Sequence, residues 1–133
     1  MGLMTEKYDM DTAGITYTAT LSATHAHGSA IDMKDALRIV FQVCHLANAD
    51  DGSIVWTVEE SATTTDGDFA ELAASTYTAT TTSAEVGTWK TIEVPASAMT
   101  ATKRYLRLTA TEAAAHNAAI AAVAVRELNY SNV

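Results

Sequence analysis

The sequence predicts an all-β protein: an antiparallel β-sandwich or jelly roll of about eight strands, preceded by an extended N-terminal arm. Three observations carry that expectation. Apolar and polar residues alternate with a period of two through most of the chain, as they do in strands with one buried face. Turn signals recur every 8–15 residues, the rhythm of a sandwich. The 26 alanines and 21 threonines among 133 residues supply the small and β-branched side chains that suit a pleated surface. The length fits one domain, expected over 15–133 with the arm over 1–14.

Residues 1–11 show no clean period, which is why they read as an arm. The first strand is expected over 15–22, with Ile15, Tyr17, Ala19 and Leu21 on one face and Thr16, Thr18, Thr20 and Ser22 on the other. Over 37–45, Leu37, Ile39, Phe41 and Val43 share a face while Val40 and Cys44 lie opposite, so the strand is apolar enough on both sides to be central. Over 54–61, Ile54, Trp56 and Val58 point inward. Between these two, Asp51-Gly52 is a hairpin turn signal, and Asp66-Gly67 repeats it before the short run 69–72. Residues 76–82 read as an edge strand. Residues 89–94 form another, closed by Pro95, which cannot donate to a ladder. Over 104–110, Leu106 and Leu108 alternate with Tyr105 and Arg107. In the alanine-rich stretch 112–125, helix propensity competes with β-branched Ile120, Val123 and Val125. A strand over 119–128 is favoured there, with a short helical turn near 112–117 or a turn at His116-Asn117 as alternatives.

Eight basic residues against sixteen acidic ones give a formal charge of −8. Nucleic-acid binding neutralises phosphates with Lys and Arg, so a surface this acidic argues against it, and against an anionic membrane for the same reason. The acids are dispersed, as on a solvated surface. No apolar run approaches the ~20 residues of a membrane-spanning helix, and the start lacks the pattern of a signal peptide. The single cysteine, Cys44, excludes an internal disulfide and fits a reducing compartment.

Little in the chain points to chemistry. His25 and His27 are two apart and point the same way on a strand, but nothing supplies a third metal ligand, and a polar loop before Gly28 is the plainer reading. Asp50, Asp51, Asp66 and Asp68 offer oxygen ligands for calcium without matching a full calcium loop; turn formation explains them more simply. Adjacent Glu59 and Glu60 face opposite ways on a strand, as do Cys44 and His45, so neither pair forms a dyad. Cys44, on an apolar strand, reads as a buried, inert thiol. Neither a nucleophile elbow nor a phosphate-binding glycine loop occurs. The chain is therefore expected to be no enzyme and to need no cofactor or metal. Trp56 and Trp89 are expected in the core. Lys103, Arg104 and Arg107 form the only basic cluster. Pairing with surface acids is the plainer reading; the functional one is a contact patch for an acidic partner, with Tyr105 alongside, because Arg and Tyr are enriched in interfaces. Tyr8, on the arm, joins Lys103, Arg104, Tyr105 and Arg107 as a candidate contact residue.

Two segments resemble the small virion structural proteins of tailed bacteriophages. Residues 58–69 carry a strand, then Ser61, Asp66-Gly67 and Phe69, and residues 102–108 carry an Arg-Tyr-x-Arg strand, Arg104 to Arg107. The upstream order also matches: Ile31 to Ala36, a strand, an Asp-Gly turn, then the Trp56 strand. The resemblance covers about 31–128. It departs at the inserted threonines 63–65 and in the alanine-rich 113–122, which leaves the register of the last strand open. It implies a head decoration or cement protein: a β-sandwich homo-oligomer, often a trimer, bound to the major capsid protein and to neighbouring copies of itself. Such a protein sits on the virion head surface after assembly in the host cytoplasm. A tail or fibre component, or a carbohydrate-binding sandwich, is the alternative.

Overall fold

A computed structural model describes residues 8–11, 16–17, 20–21, 25–48, 52–72, 75–112 and 116–128. The alternating segments become β1 (Tyr8–Asp11), β2 (Thr16–Tyr17), β3 (Thr20–Leu21), β4 (His25–His27), β5 (Ile31–Asp32), β6 (Ala36–Asn48), β7 (Ser53–Ser61), β8 (Ala70–Glu71), β9 (Thr78–Thr82), β10 (Trp89–Pro95), β11 (Tyr105–Glu112) and β12 (His116–Leu128). They assemble into two antiparallel six-stranded sheets. The first runs β1-β12-β6-β10, with β2 and β3 also on β12; the second runs β4-β11-β7-β8, with β5 on β11 and β9 on β7. This is the expected β-sandwich. The strands outnumber the expectation because several are two-residue pieces, β2 and β3 both lying within the strand expected over 15–22.

β1, β2 and β3 follow one another along the same side of β12, against residues 124–127, 120–121 and 116–117. Over 8–11, the segment read as an arm is thus an edge strand of the first sheet. Residues 1–7 and 12–15 lie outside the described residues, as do the side chains of 15–22.

Two sequence expectations are corrected. β6 and β7 do not pair as a hairpin: β6 lies between β12 and β10, whereas β7 pairs with β11, β8 and β9. The chain therefore crosses between layers from β6 to β7, and Asp51 lies outside the described residues. The reason is burial: Ile39, Phe41 and Val43 of β6 and Ile54, Trp56 and Val58 of β7 are all fully buried, and two such rows bury one another only from opposite sheets. The second correction concerns β12, which starts at His116 and not at 119. His116 and Asn117 are strand residues opposite Leu21 and Thr20, so neither a turn nor a helical turn forms at those positions; 113–115 lie outside the described residues. With partners on both sides, the backbone of β12 is satisfied by ladder bonds, and this outweighs the helix preference of its alanines.

β6 carries a bulge at each end, and the one at its start changes which apolar residues are inside. The β12–β6 ladder skips Leu37, between Ala36 and Arg38, and Leu46, between His45 and Ala47. The bulge at Leu37 turns that leucine outward, 46% exposed, whereas Leu46, 43% exposed, is outward by alternation with His45. Leu37, expected to share the buried face of Ile39, is thereby on the surface. Between the bulges the phase holds, and Ile39, Phe41, Val43 and His45 form the inner row. It packs with Ile92, Val94, Ile120, Ala122 and Ala124 against Ile54, Trp56, Val58, Leu106, Leu108 and Ala110 of the other sheet. Trp56 satisfies its indole N–H within this core, donating to Thr81 Oγ1 at 2.9 Å. At the β9 and β10 edges, Lys90 donates to the Thr80 carbonyl at 2.5 Å and to Glu85 at 2.9 Å, so a lysine blocks an open strand edge.

His45 is fully buried, and among the described residues only the Thr81 backbone comes near enough to act on its ring. Desolvation pushes its imidazole below the ordinary 6.5, opposed in part by the Thr81 backbone. The unfolded chain therefore takes up this proton first as pH falls. Stability is complete above pH 6.5 and is lost as pH falls from there toward the folded-state value. In urea titrations between pH 7.5 and 5, the wild type should lose stability and His45→Leu should stay flat over that window. Deleting residues 1–14 should strip β1 from β12, lowering Tm and producing concentration-dependent association through the bared edge, both read by light scattering during thermal unfolding.

Candidate partner-contact surface

The basic cluster on and before β11 is divided by the fold. Leu106 and Leu108 enter the core, which turns Tyr105 and Arg107 outward, as alternation requires. Yet only 7% of the Arg107 side chain is exposed. Residues 62–69 fold over it: its Nε donates to Glu59 Oε2 at 2.5 Å, a second nitrogen donates to Asp66, and the guanidinium lies 4.2 Å from the centre of the Phe69 ring. Arg107 in turn holds the Asp66 carboxyl below its usual range. His27 completes the cluster, with Nδ1 3.1 Å from Thr109 Oγ1 and 3.7 Å from Glu59.

The inserted threonines brace this loop. Thr63 donates its N–H to Ser61 Oγ at 3.0 Å and its hydroxyl to Asp68 at 2.5 Å, while Thr65 donates to Thr63 Oγ1 at 3.1 Å. Asp66 and Asp68 thus serve the turn itself. Asp50 and Asp51 lie outside the described residues, as does the side chain of His25. Among the described residues, no three His, Cys, Asp or Glu side chains gather as metal ligands.

Arg104 leads elsewhere. Its guanidinium grips Asp32 with two bonds of 2.9 and 2.7 Å and lies 5.5 Å from the centre of the Tyr105 ring. The Arg104 hydrogen bond, aided by the Lys34 N–H, brings the Asp32 carboxyl down to about 2. Arg126, from the opposite sheet, donates to the Asp32 carbonyl. Asp32 therefore ties the two layers together at one end of the sandwich. Beside it runs the loop 99–104, anchored where Glu60 accepts the Thr100 N–H at 2.9 Å and its hydroxyl at 2.5 Å. Glu60 and Glu59 do face opposite ways, one to this loop and one to Arg107.

Lys103, Arg104 and Tyr105 thus stay together at this end, whereas Arg107 is enclosed on the outer face of the second sheet. Lys34 and Met33, on the turn after β5, join Lys103 and Arg104 around a cleft that sequence inspection did not reveal. They lie far from Lys103 in the chain, and only the β5–β11 pairing brings them near. The Tyr8 backbone pairs with Glu127, next to Arg126, at the same end; its side chain lies outside the described residues.

Trp89 corrects a further expectation. It is 49% exposed, because Ile92 and Val94 take the inner positions of β10 and alternation turns Trp89 out. Across from it Cys44, although outward in phase, is fully buried. Val86 is also exposed, near the point where the Gly87 N–H reaches the His45 carbonyl. Gly87 adopts a φ of 81°, which glycine tolerates without strain.

The enclosed Arg107 and the half-exposed Arg104 should respond differently to truncation. Arg107→Ala leaves Glu59 without its buried cation and should cost about 3 kcal/mol in urea denaturation. Arg104→Ala, on a solvated pair, should cost clearly less in the same assay.

No protein-family model matches this sequence, and no curated protein matches it. The fold itself has counterparts among solved structures. In the structure of infectious bursal disease virus Gx strain, 96% of this chain aligns with 34% of one chain at a TM-score of 0.53 and 14% identity. In T=1 particles derived from infectious bursal virus, 92% aligns with 32% of one chain at a TM-score of 0.52 and 12% identity. The chain thus spans about a third of those two chains. A family 11 carbohydrate-binding module of Clostridium thermocellum matches more distantly, with a TM-score of 0.38 and 13% identity over 92% of this chain and 81% of that one. At such identities the likeness is one of fold: this chain has a β-sandwich of the kind found in those virus-particle chains.

Proposed function

We propose that the protein is a structural component of a virus particle, a decoration or cement protein that binds the outside of a tailed-phage capsid. It acts by contact with the major capsid protein and with its own copies, not by catalysis. The observation that carries this reading is the sandwich that follows one part of two virus-particle chains over more than nine-tenths of its own length. Two sequence features support it: the Ser61, Asp66-Gly67, Phe69 and Arg104 to Arg107 motifs, and an acidic surface suited to a position away from packaged DNA. The motifs have structural work in this fold, since Ser61, Asp66, Phe69 and Arg107 build one loop clamp. On a lattice, many identical weak sites give high avidity without a large single interface.

A second reading, a carbohydrate-binding sandwich on a tail or fibre, is favoured by one observation: the half-exposed Trp89 on an outer sheet face, an aromatic surface of the kind that stacks on a sugar ring. Cryo-EM of intact particles separates the two. Symmetric density in hundreds of copies over the shell is the expected outcome. A few copies at one vertex, together with glycan-array binding lost in Trp89→Ala, would replace decoration by the tail reading.

A further inference from the structure

Among the described residues, most of the cations are held by carboxylates. Arg38 holds Glu93 and Glu127, Lys90 holds Glu85, Arg104 holds Asp32, and Arg107 holds Glu59 and Asp66. Arg126 donates to the Asp32 carbonyl. Lys34 and Lys103 differ: among the described residues, neither ammonium has a carboxylate within salt-bridge distance. Both line the same cleft, a space of about 230 Å³ at the Asp32 end of the sandwich, together with Arg104, Met33, Ala96 and Met99. In a chain carrying a formal charge of −8, two unpaired cations converging on one concavity form a local reversal of sign.

We propose that this cleft binds an acidic, partly apolar peptide segment of a separate partner protein, with a carboxylate between Lys34 and Lys103 and an adjoining apolar side chain on the methionines. The charge around the cleft supports the first half. Asp32 is committed to Arg104 and Arg126, and the charge of the turn residue Asp35 reaches Arg104, so neither carboxylate is salt-bridged to the two lysines. Lysines act as compact point charges and accept a carboxylate in many orientations, whereas Arg104 is already committed to a bidentate grip. The floor supports the second half. Met33 is buried and Met99 packs against the core, and methionine adapts its shape to varied apolar groups. Size decides the class: pockets for free small ligands run to roughly 300–1,000 Å³, so this one suits one or two side chains of an extended segment. A nucleic acid would meet repulsion from the rest of the chain.

The site is built on a rigid base. Asp32 accepts the Lys34 N–H, the Ala36 N–H bonds the Met33 carbonyl at 3.1 Å, the Met33 N–H bonds the Arg104 carbonyl at 2.9 Å, and the Lys103 N–H bonds the Thr100 carbonyl at 2.8 Å. Asp35 holds the turn with a φ of 61°, a conformation aspartate tolerates better than most residues. The proposal stands on this chemistry alone and holds whether or not the protein sits on a particle.

Fluorescence anisotropy with a labelled octapeptide alternating Asp and Leu tests it on the full chain. The expected result is saturable binding that weakens with added salt. It should fall at least tenfold for an Asn-for-Asp peptide, and tenfold or more for Lys34→Glu/Lys103→Glu, with Lys34→Gln/Lys103→Gln intermediate. Both lysines are surface residues, and unchanged circular dichroism identifies the variants as folded. Equal binding of the Asn peptide, equal binding by the folded Glu variant, or no binding at millimolar peptide would overturn the proposal. So would tighter, lysine-dependent binding of oligogalacturonate, which would make the ligand a sugar acid. Wild-type oligomers in sedimentation that Lys34→Glu/Lys103→Glu dissociates would make the occupant a second copy and also overturn it.

Discussion

The pairing of β7 with β11 is the constraint on which most of the molecule rests. Its register sets Val58 opposite Leu108 and Trp56 opposite Ala110 on the inner face, and Glu59 opposite Arg107 on the outer one. Side chains alternate with period two, so a slip of one residue would drive the ion pair into the core and the leucines into water. The penalty for such a slip is large on both faces, which leaves one register. Everything at the Asp32 end then follows. The Arg104 N–H bonds the Ser61 carbonyl at 2.9 Å, so the end of the β7–β11 ladder positions both the loop that covers Arg107 and the loop that carries Lys103.

The chain crosses between sheets at β3–β4, β5–β6, β6–β7, β9–β10, β10–β11 and β11–β12. Each crossing gathers residues distant in sequence at the ends of the sandwich. The Asp32 end shows what this produces: Arg104 from one sheet and Arg126 from the other converge on one aspartate, one on its carboxylate and one on its carbonyl. An inter-sheet ionic tie of this kind closes the layer gap where side chains from the core no longer reach. It also occupies both arginines of that end, so that Lys34 and Lys103 define its remaining charge.

Alanine and threonine acquire separate roles. Ala110, Ala122 and Ala124 are buried in the inner rows opposite larger residues, so close packing is kept by pairing small with large. Threonines act largely through their hydroxyls: Thr81 takes the indole N–H of Trp56, Thr63 braces the clamp loop, Thr100 holds Glu60, and Thr82 shares Glu85 with Lys90. Many short polar ties thus surround a modest core.

Alternation alone was enough to identify the β class, the central position of the 37–45 strand, the inward row Ile54, Trp56 and Val58, and the edge strands ended by Pro95. These are local properties: a strand's burial pattern is written in consecutive residues. Trp89 was legible in the same way, since Ile92 and Val94 set its phase outward. The bulge at Leu37, the crossing between β6 and β7 and the strand start at His116 were not legible, because each depends on which partner strand lies alongside. For the candidate site, Lys103, Arg104 and Tyr105 could be picked out as a run. That Arg107 would be enclosed, and that Lys34 and Met33 would join the cleft, depended on the β5–β11 and β7–β11 registers. Sequence by itself determined which faces are apolar, because that is a matter of residue type and period; tertiary structure decided which faces and charges meet, because pairing between distant strands is a choice among whole-chain arrangements that no local segment encodes.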